Sequence, residues 1–201
     1  MQNKYYADNL DLIKWSVLIR LAEQYKLSRI IQVAYLRPST FNMIDIAGQK
    51  PEPPPPQVLA HFRDIRNVAA LHTDIPISVF DLMFDDRTTY HEALSLYLEA
   101  FKAKPRLVFL DPDTGLQPAR RFDFKHVLCA EAHAIWSQLN KNEVFAFYQH
   151  KTTMAGKPWI EKKRTQLEKA IKVGKVEVLV GQMARIRNDD NDVVIFFVVK
   201  P

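Results

Sequence analysis

Along the first 25 residues the apolar positions fall at helical spacing. Leu10, Ile13, Val17 and Leu21 form one stripe with Leu18, Ala22 and Tyr25 beside them, and Asp8 and Asn9 stand where an N-terminal cap belongs. The period then changes. Residues 30 to 36 are rich in β-branched and aromatic side chains and run into Arg37-Pro38-Ser39-Thr40, where proline halts pairing, so they predict a first strand. The same succession recurs down the chain. A helix predicted over 58 to 69 precedes a strand at 77 to 84, one over 90 to 102 a strand at 107 to 110, one over 124 to 139 a strand at 144 to 148, and one over 159 to 173 a strand at 176 to 180. Such alternation predicts an α/β fold: a three-layer, doubly wound, mostly parallel sheet of about six strands. Residues 193 to 199 depart from it, because the loop before them is too short for a helical crossover, and they predict an antiparallel C-terminal hairpin.

The proline run at 51 to 56 can be neither helix nor central strand and predicts a short polyproline-like spacer. With no internal repeat and no linker between two cores, the chain reads as a single domain, 1 to 201, in which residues 49 to 56 are an insertion.

The chemistry is sought at Arg106-Leu107-Val108-Phe109-Leu110-Asp111-Pro112-Asp113-Thr114-Gly115, an apolar run that ends on two carboxylates. A strand without polar alternation is covered on both faces, and ligands of open α/β sheets bind beyond the carboxyl ends of such strands. In a parallel sheet that edge would also collect Arg37, Ser39 and Asn42 after the first strand, Asp85, Asp86 and Arg87 after the second, and Tyr148, Gln149, His150 and Lys151 after the fourth. Taken singly each is explained by loop solubility; their convergence is the signal. Asp111, at the lip of the sheet and partly desolvated, is a candidate general base. The alternative is that Asp111 or Asp113 caps the next turn, with Gly115 supplying a positive φ. His150 is a structural hydrogen-bonder or a catalyst, Gln149 offers an amide to a base edge, and Tyr148 a stacking face. Of Tyr5 and Tyr6, one reads as a lid over the sheet edge or as a staple on the first helix. Lys14-Trp15 reads as interfacial packing with a snorkelling cation.

Composition sets bounds. With 201 residues, 47% of them hydrophobic, the chain can bury a substantial core, so disorder is set aside. No apolar run approaches the ~18 residues that span a bilayer, and the first residues lack a signal-peptide core, which predicts a soluble, cytoplasmic protein without membrane partners. The lone Cys129 has no intrachain disulfide partner and reads as a small core residue; a Cys-based metal site is excluded. The net charge of +5 hints at a polyanion. Residues 151 to 175 hold eight cations against two carboxylates. Lys151, Lys157, Lys162, Lys163 and Arg164 are there either a solvated helix face or a set of phosphate contacts. There is no phosphate-cradling Gly-Lys-Ser/Thr loop and no Gly-x-Gly-x-x-Gly, and the five glycines supply no glycine-rich turn for adenosylmethionine.

Two resemblances follow from these residues. Leu110-Asp111-Pro112-Asp113 resembles the Asp-Pro-Pro-Tyr motif of amino-methyltransferases, and residues 6 to 14 resemble the N-terminal segment of bacterial ribosomal-RNA adenine methyltransferases, but the second proline and the aromatic that clamp the target base are missing. Residues 109 to 116 together with Tyr148-Gln149-His150 resemble short bacterial phage-defence DNA glycosylases that excise hypermodified cytosine, a group distantly similar to the uracil-DNA glycosylase superfamily. That resemblance implies a water-activating Asp111-Pro112 and a His150 that stabilises the departing base, although Asp113 stands where an aromatic is expected and no His-Pro-Ser follows Gln149. It further implies a flipped nucleotide of modified phage DNA, Asp113 on the base, a pocket drawn from Arg37, Ser39, Asn42, Asp85, Arg87, Tyr148 and Gln149, and no metal or organic cofactor. The alternatives are a methyltransferase-like enzyme with a degenerate cofactor site, a binding module, and a nuclease using Asp85, Asp111 and Asp113 with Mg²⁺.

Overall fold

The computed structural model describes residues 1–45, 47–48, 50–71, 74–151, 159–181 and 193–201. Helix α1 (Asn9–Gln24) leads to β1 (Ile30–Val33), α2 (Pro56–Phe62), a 3-10 turn (Ile65–Ala70), β2 (Ile77–Phe80), α3 (Arg87–Ala100) and β3 (Leu107–Leu110). There follow β4 (Gly115–Leu116), β5 (His126–Val127), α4 (Cys129–Ser137), β6 (Val144–Gln149), α5 (Trp159–Ile171), β7 (Glu177–Gly181) and β8 (Val193–Val199). The main sheet has the order β2-β1-β3-β6-β8-β7. Its first four strands are parallel, and β8 is antiparallel to both β6 and β7.

The α/β sheet and its antiparallel ending are as the pattern predicts. The last strand, however, does not lie at the edge: it inserts between β6 and β7. Hydrophobicity explains the order. Ile195, Phe196, Phe197 and Val198 are all buried and need cover on both faces, whereas β7 carries the exposed Glu177 and Val180 and tolerates an edge.

Strand periodicity divides the core. Val108 and Leu110 point to one face, packed with Leu94, Leu98, Ile135 and Leu167 of α3, α4 and α5. Leu107 and Phe109 point to the other, against Trp15, Leu18 and Leu21 of α1. The chain passes from β1 outward to β2 and then crosses to β3 on the other side of β1, so the topological switch point lies between β1 and β3.

Several elements are shorter than predicted. The expected helix at 124 to 139 begins only at Cys129, because His126 and Val127 pair with Gly115 and Leu116 in a small parallel sheet. That at 58 to 69 breaks after Phe62 into the 3-10 turn. The proline-rich segment is largely exposed and enters α2 with Pro56 at its start, where a missing N–H costs nothing. Cys129 is half-buried, with Gln166 Nε2 at 3.4 Å from its sulfur. Among the described residues no helix is long and apolar enough to cross a membrane.

Candidate functional site

The same periodicity that builds the core aims the site. Asp111 extends the face of Leu107 and Phe109, Tyr148 that of Val144 and Ala146, and Gln32 that of Ile30, so all three point toward α1 at the carboxyl edge. On α1, Lys14 stands on the stripe of Leu18 and Leu21, which the sheet buries. Its Nζ lies 3.2 and 3.1 Å from the two carboxylate oxygens of Asp111 and 2.6 Å from Asp11 Oδ1. Gln32 Nε2 donates to Asp111 Oδ2 at 2.8 Å, and the amide of Ala7 to Asp11 Oδ2 at 2.8 Å. The Tyr148 ring lies beneath the ammonium at 5.1 Å. Asp111 is only 1% exposed and Lys14 and Asp11 4% each, so these charges stand in a medium where their interactions are strong.

Burial shifts the protonation chemistry. Desolvation raises the Asp111 carboxyl above its ordinary range, and Asp11 adds to this while Lys14 opposes it. For Lys14, burial works against the charge, but Asp111 and Asp11 outweigh it and the ammonium binds its proton more tightly than usual. Desolvation pushes the Tyr148 hydroxyl up to about 12, so it stays protonated as a donor.

Asp113 does different work. It takes the Met1 amine at 2.7 Å and Arg37 Nε at 2.7 Å, joining the segments after β1 and β3. Against the cost of burial, these cations hold its carboxyl below the ordinary range. The turn after Asp113 is closed by Gln149: its Oε1 accepts from Leu116 N at 2.9 Å and its Nε2 donates to Thr114 O and His150 O at 3.1 and 2.8 Å. Gly115 is required there. Its φ is +121°, and a Cβ would meet the Gln149 amide at 2.4 Å.

Above this floor opens a cavity of about 570 Å³, lined by Asp11, Lys14, Arg37, Asp111, Asp113, Tyr148 and His150, with Lys4, Tyr5 and Lys125 also in its wall. Asp111 and His150 therefore share one cleft, located at the switch point. His150 is exposed, its Nδ1 3.0 Å from Lys151 O. Tyr5 is exposed and lines the cleft, while Tyr6 packs on the core beside the first helix, as the staple reading expects.

Other expected site residues lie elsewhere. Gln149, 1% exposed, is engaged by backbone and has no amide free for a base edge. Arg87 does not line the cleft: it pairs with Glu131 at 2.6 Å and stacks on Phe84 and Phe124 at 4.9 and 5.3 Å. Asp85 is exposed beyond β2, Ser39 is half-buried outside the cleft, and Asn42 lines a neighbouring cavity. Of the basic segment, Lys163 is a pin rather than a phosphate contact, because it is buried and donates to Leu116 O, Gln117 O and Gln166 Oε1 at 2.9, 2.9 and 3.1 Å. Arg164 pairs with Glu161 and Glu168 on its own helix. Lys151 and Lys162 are exposed; Lys157 lies outside the described residues.

Sequence reasoning missed Lys14, Asp11 and Gln32. A lysine on a buried apolar stripe with a carboxylate three residues before it, and a glutamine within Ile30-Ile31-Gln32-Val33, were the available signals. The snorkelling expectation for Lys14 fails because Asp111 meets the ammonium under the helix. Among the described residues no group of three or more His, Cys, Asp or Glu is arranged to hold a metal ion. Compared with family models, curated proteins and solved structures, the chain gives no significant match. Fold and site together define an α/β protein with a charged cleft at the switch point of its sheet.

Proposed function

We propose that this cleft is the active centre of a hydrolase that cleaves the N-glycosidic bond of a modified base in DNA, a hypermodified cytosine of phage DNA being the substrate implied by the resemblance of residues 109 to 116. The observation that carries the reading is the buried, proton-seeking Asp111 at the floor of a cavity large enough for a flipped nucleoside. Asp111 takes a proton from water as the water oxygen bonds to C1′ and the C1′–N bond breaks, its electron pair leaving with the base. The base then takes up a proton from solvent. Asp11 and Asp111 share the one Lys14 ammonium, and this pair of carboxylates supports an oxocarbenium-like sugar. His150 stands at the exposed part of the cleft, where its imidazolium form would donate a hydrogen bond to the departing base.

The reversed last strand favours a second reading, since a parallel sheet with a reversed final strand inserted in this way is also a methyltransferase arrangement. The residues do not fit adenosylmethionine. Where a glycine-rich turn would follow β1, Tyr35 holds the left-handed conformation (φ 46°), its ring fully buried against Phe84 and Tyr90 at 4.9 and 5.2 Å. The nuclease reading gains no support from the carboxylates, because Asp85 lies apart and Asp111 and Asp113 are bound to cations.

The test is incubation of the protein with modified and unmodified phage DNA in the presence of a chelator. Free base and aldehyde-reactive abasic sites are expected from the modified DNA. Intact DNA of both kinds, or strand cleavage that needs Mg²⁺, would overturn the reading.

A further inference from the structure

We infer that a second groove, joined to the cleft through Lys4 and Tyr5, is the track for a single strand of DNA, with bases stacked on Phe62 and Tyr5 and phosphates held by Lys4 and Arg63. The inference rests on the reading of the cleft as a DNA-acting site, and adds to it the strandedness of the substrate and the path of the flanking nucleotides.

The groove has a volume of about 570 Å³ and is walled by Phe41 and Asn42 after β1, by Val58, Leu59 and Phe62 of α2, and by the N-terminal 3-10 turn (Asn3–Tyr5). Three of its large apolar side chains are left open to solvent: Phe62 is 59% exposed, Tyr5 48% and Val58 41%. Clustered exposure of this kind marks a binding surface. Charge names the occupant. The described residues that line the groove include two cations, Lys4 and Arg63, and no carboxylate, whereas Asp8, Asp11, Asp111 and Asp113 line the adjoining cleft and Asp64 and Asp81 line a further pocket that shares Phe41, Leu59 and Arg63. Lys4 Nζ lies 5.1 Å from the centre of the Tyr5 ring, and Arg63 is anchored through Nη1 on Tyr6 O at 2.6 Å. Aromatic faces interleaved with cations are what a nucleic-acid strand with unpaired bases requires, because every base offers a π-face and every linkage a negative charge. Unpaired bases, released from a duplex stack, have faces free to lie on such rings. A strand already open also lowers the unstacking cost of delivering one nucleotide to the cleft. Asn42, expected from the sequence to contact substrate, meets it in this groove rather than at the reacting centre.

The measurement is fluorescence anisotropy with a labelled mixed-sequence oligodeoxynucleotide of about 12 nucleotides, within the usual span of such sites, as single strand and as duplex. The single strand is expected to bind more tightly. Phe62→Ala should weaken it by about tenfold, Phe62→Tyr should restore it, and Lys4→Ala should weaken binding and flatten its salt dependence. Phe62 is exposed, so its variants should melt as the wild type does, and a melt confirms this. Duplex binding as tight as single-strand binding, wild-type affinity in Phe62→Ala, or a wild-type dimer that Phe62→Ala dissolves in sedimentation would each overturn the inference. The two proposals fail separately: Phe62-dependent strand binding without base release leaves the groove and removes the chemistry, while base release indifferent to Phe62 does the reverse.

Discussion

Strand β3 has a buried charge cluster at each end, and the two are built differently. At the amino end Arg106, 1% exposed, faces Glu143 at 3.3 Å and is otherwise committed to closing helices, through Leu98 O in the last turn of α3 and Gln138 O at the end of α4. Glu143 in turn accepts from Asn140 N at 2.8 Å. These charges cap backbone. At the carboxyl end Lys14, Asp11 and Asp111 are as deeply buried, yet they form the floor of an open cavity. The comparison teaches that burial of an ion pair does not mark a site. The mark is a cluster whose charges are left facing a volume that the chain does not fill.

The largest test is loss of the cation at each end. Lys14→Met leaves two buried carboxylates without a counter-ion and should cost about 3–5 kcal/mol in urea unfolding, and Arg106→Met, which orphans one, about the lower end of that range. Only the Lys14→Met loss should shrink when Asp111→Asn is added. Equal behaviour of the two ends in the double variant would dissolve the distinction.

Next is the chemistry. Asp111→Asn should stay folded and lose about 10²-fold or more in single-turnover base release, whereas Glu143→Gln should alter stability and leave the rate of the folded protein intact. A folded Asp111→Asn variant with full activity would place the two ends in one structural category.

Gly115→Ala sharpens the picture at the carboxyl edge, where the turn is held by Gln149. With a positive φ and a 2.4 Å clash in prospect, it should cost at least about 1 kcal/mol in thermal or urea melts and lower activity with it. A neutral result would mean that the turn does not position Asp113.

The smallest effect is on pH. Burial raises the Asp111 carboxyl and the reaction needs its basic form, so the rate should be low in acid and climb as pH rises through a value above 3.8. Asp113 has the opposite sign: its folded pKa is depressed, so its contribution to stability is present above 3.8 and is lost only as pH falls through the lower, folded value. Rate and circular dichroism measured together should therefore show activity falling before the fold does. Coincident loss would assign the acid limb to unfolding.

The pattern of apolar residues was enough for the layers, for the parallel strands that lead to Asp111 and to His150, and for the convergence of these two residues on one edge, because strand and helix periods are local properties that burial on each face enforces. Gly115 was legible for the same reason, as a turn residue after an apolar strand. Other features depended on neighbours that the chain order does not reveal. Gln149 looked like a base-reading amide but is used by the backbone of Thr114 and Leu116; Lys163 looked like a phosphate contact but is anchored on carbonyls of the segment after β3. The position of β8 between β6 and β7, the shared wall of cleft and groove, and the meeting of Lys14 with Asp111 were likewise decided only in three dimensions. A side chain's type states what it can bind, but desolvation and partners 97 residues away along the chain determine what it does bind.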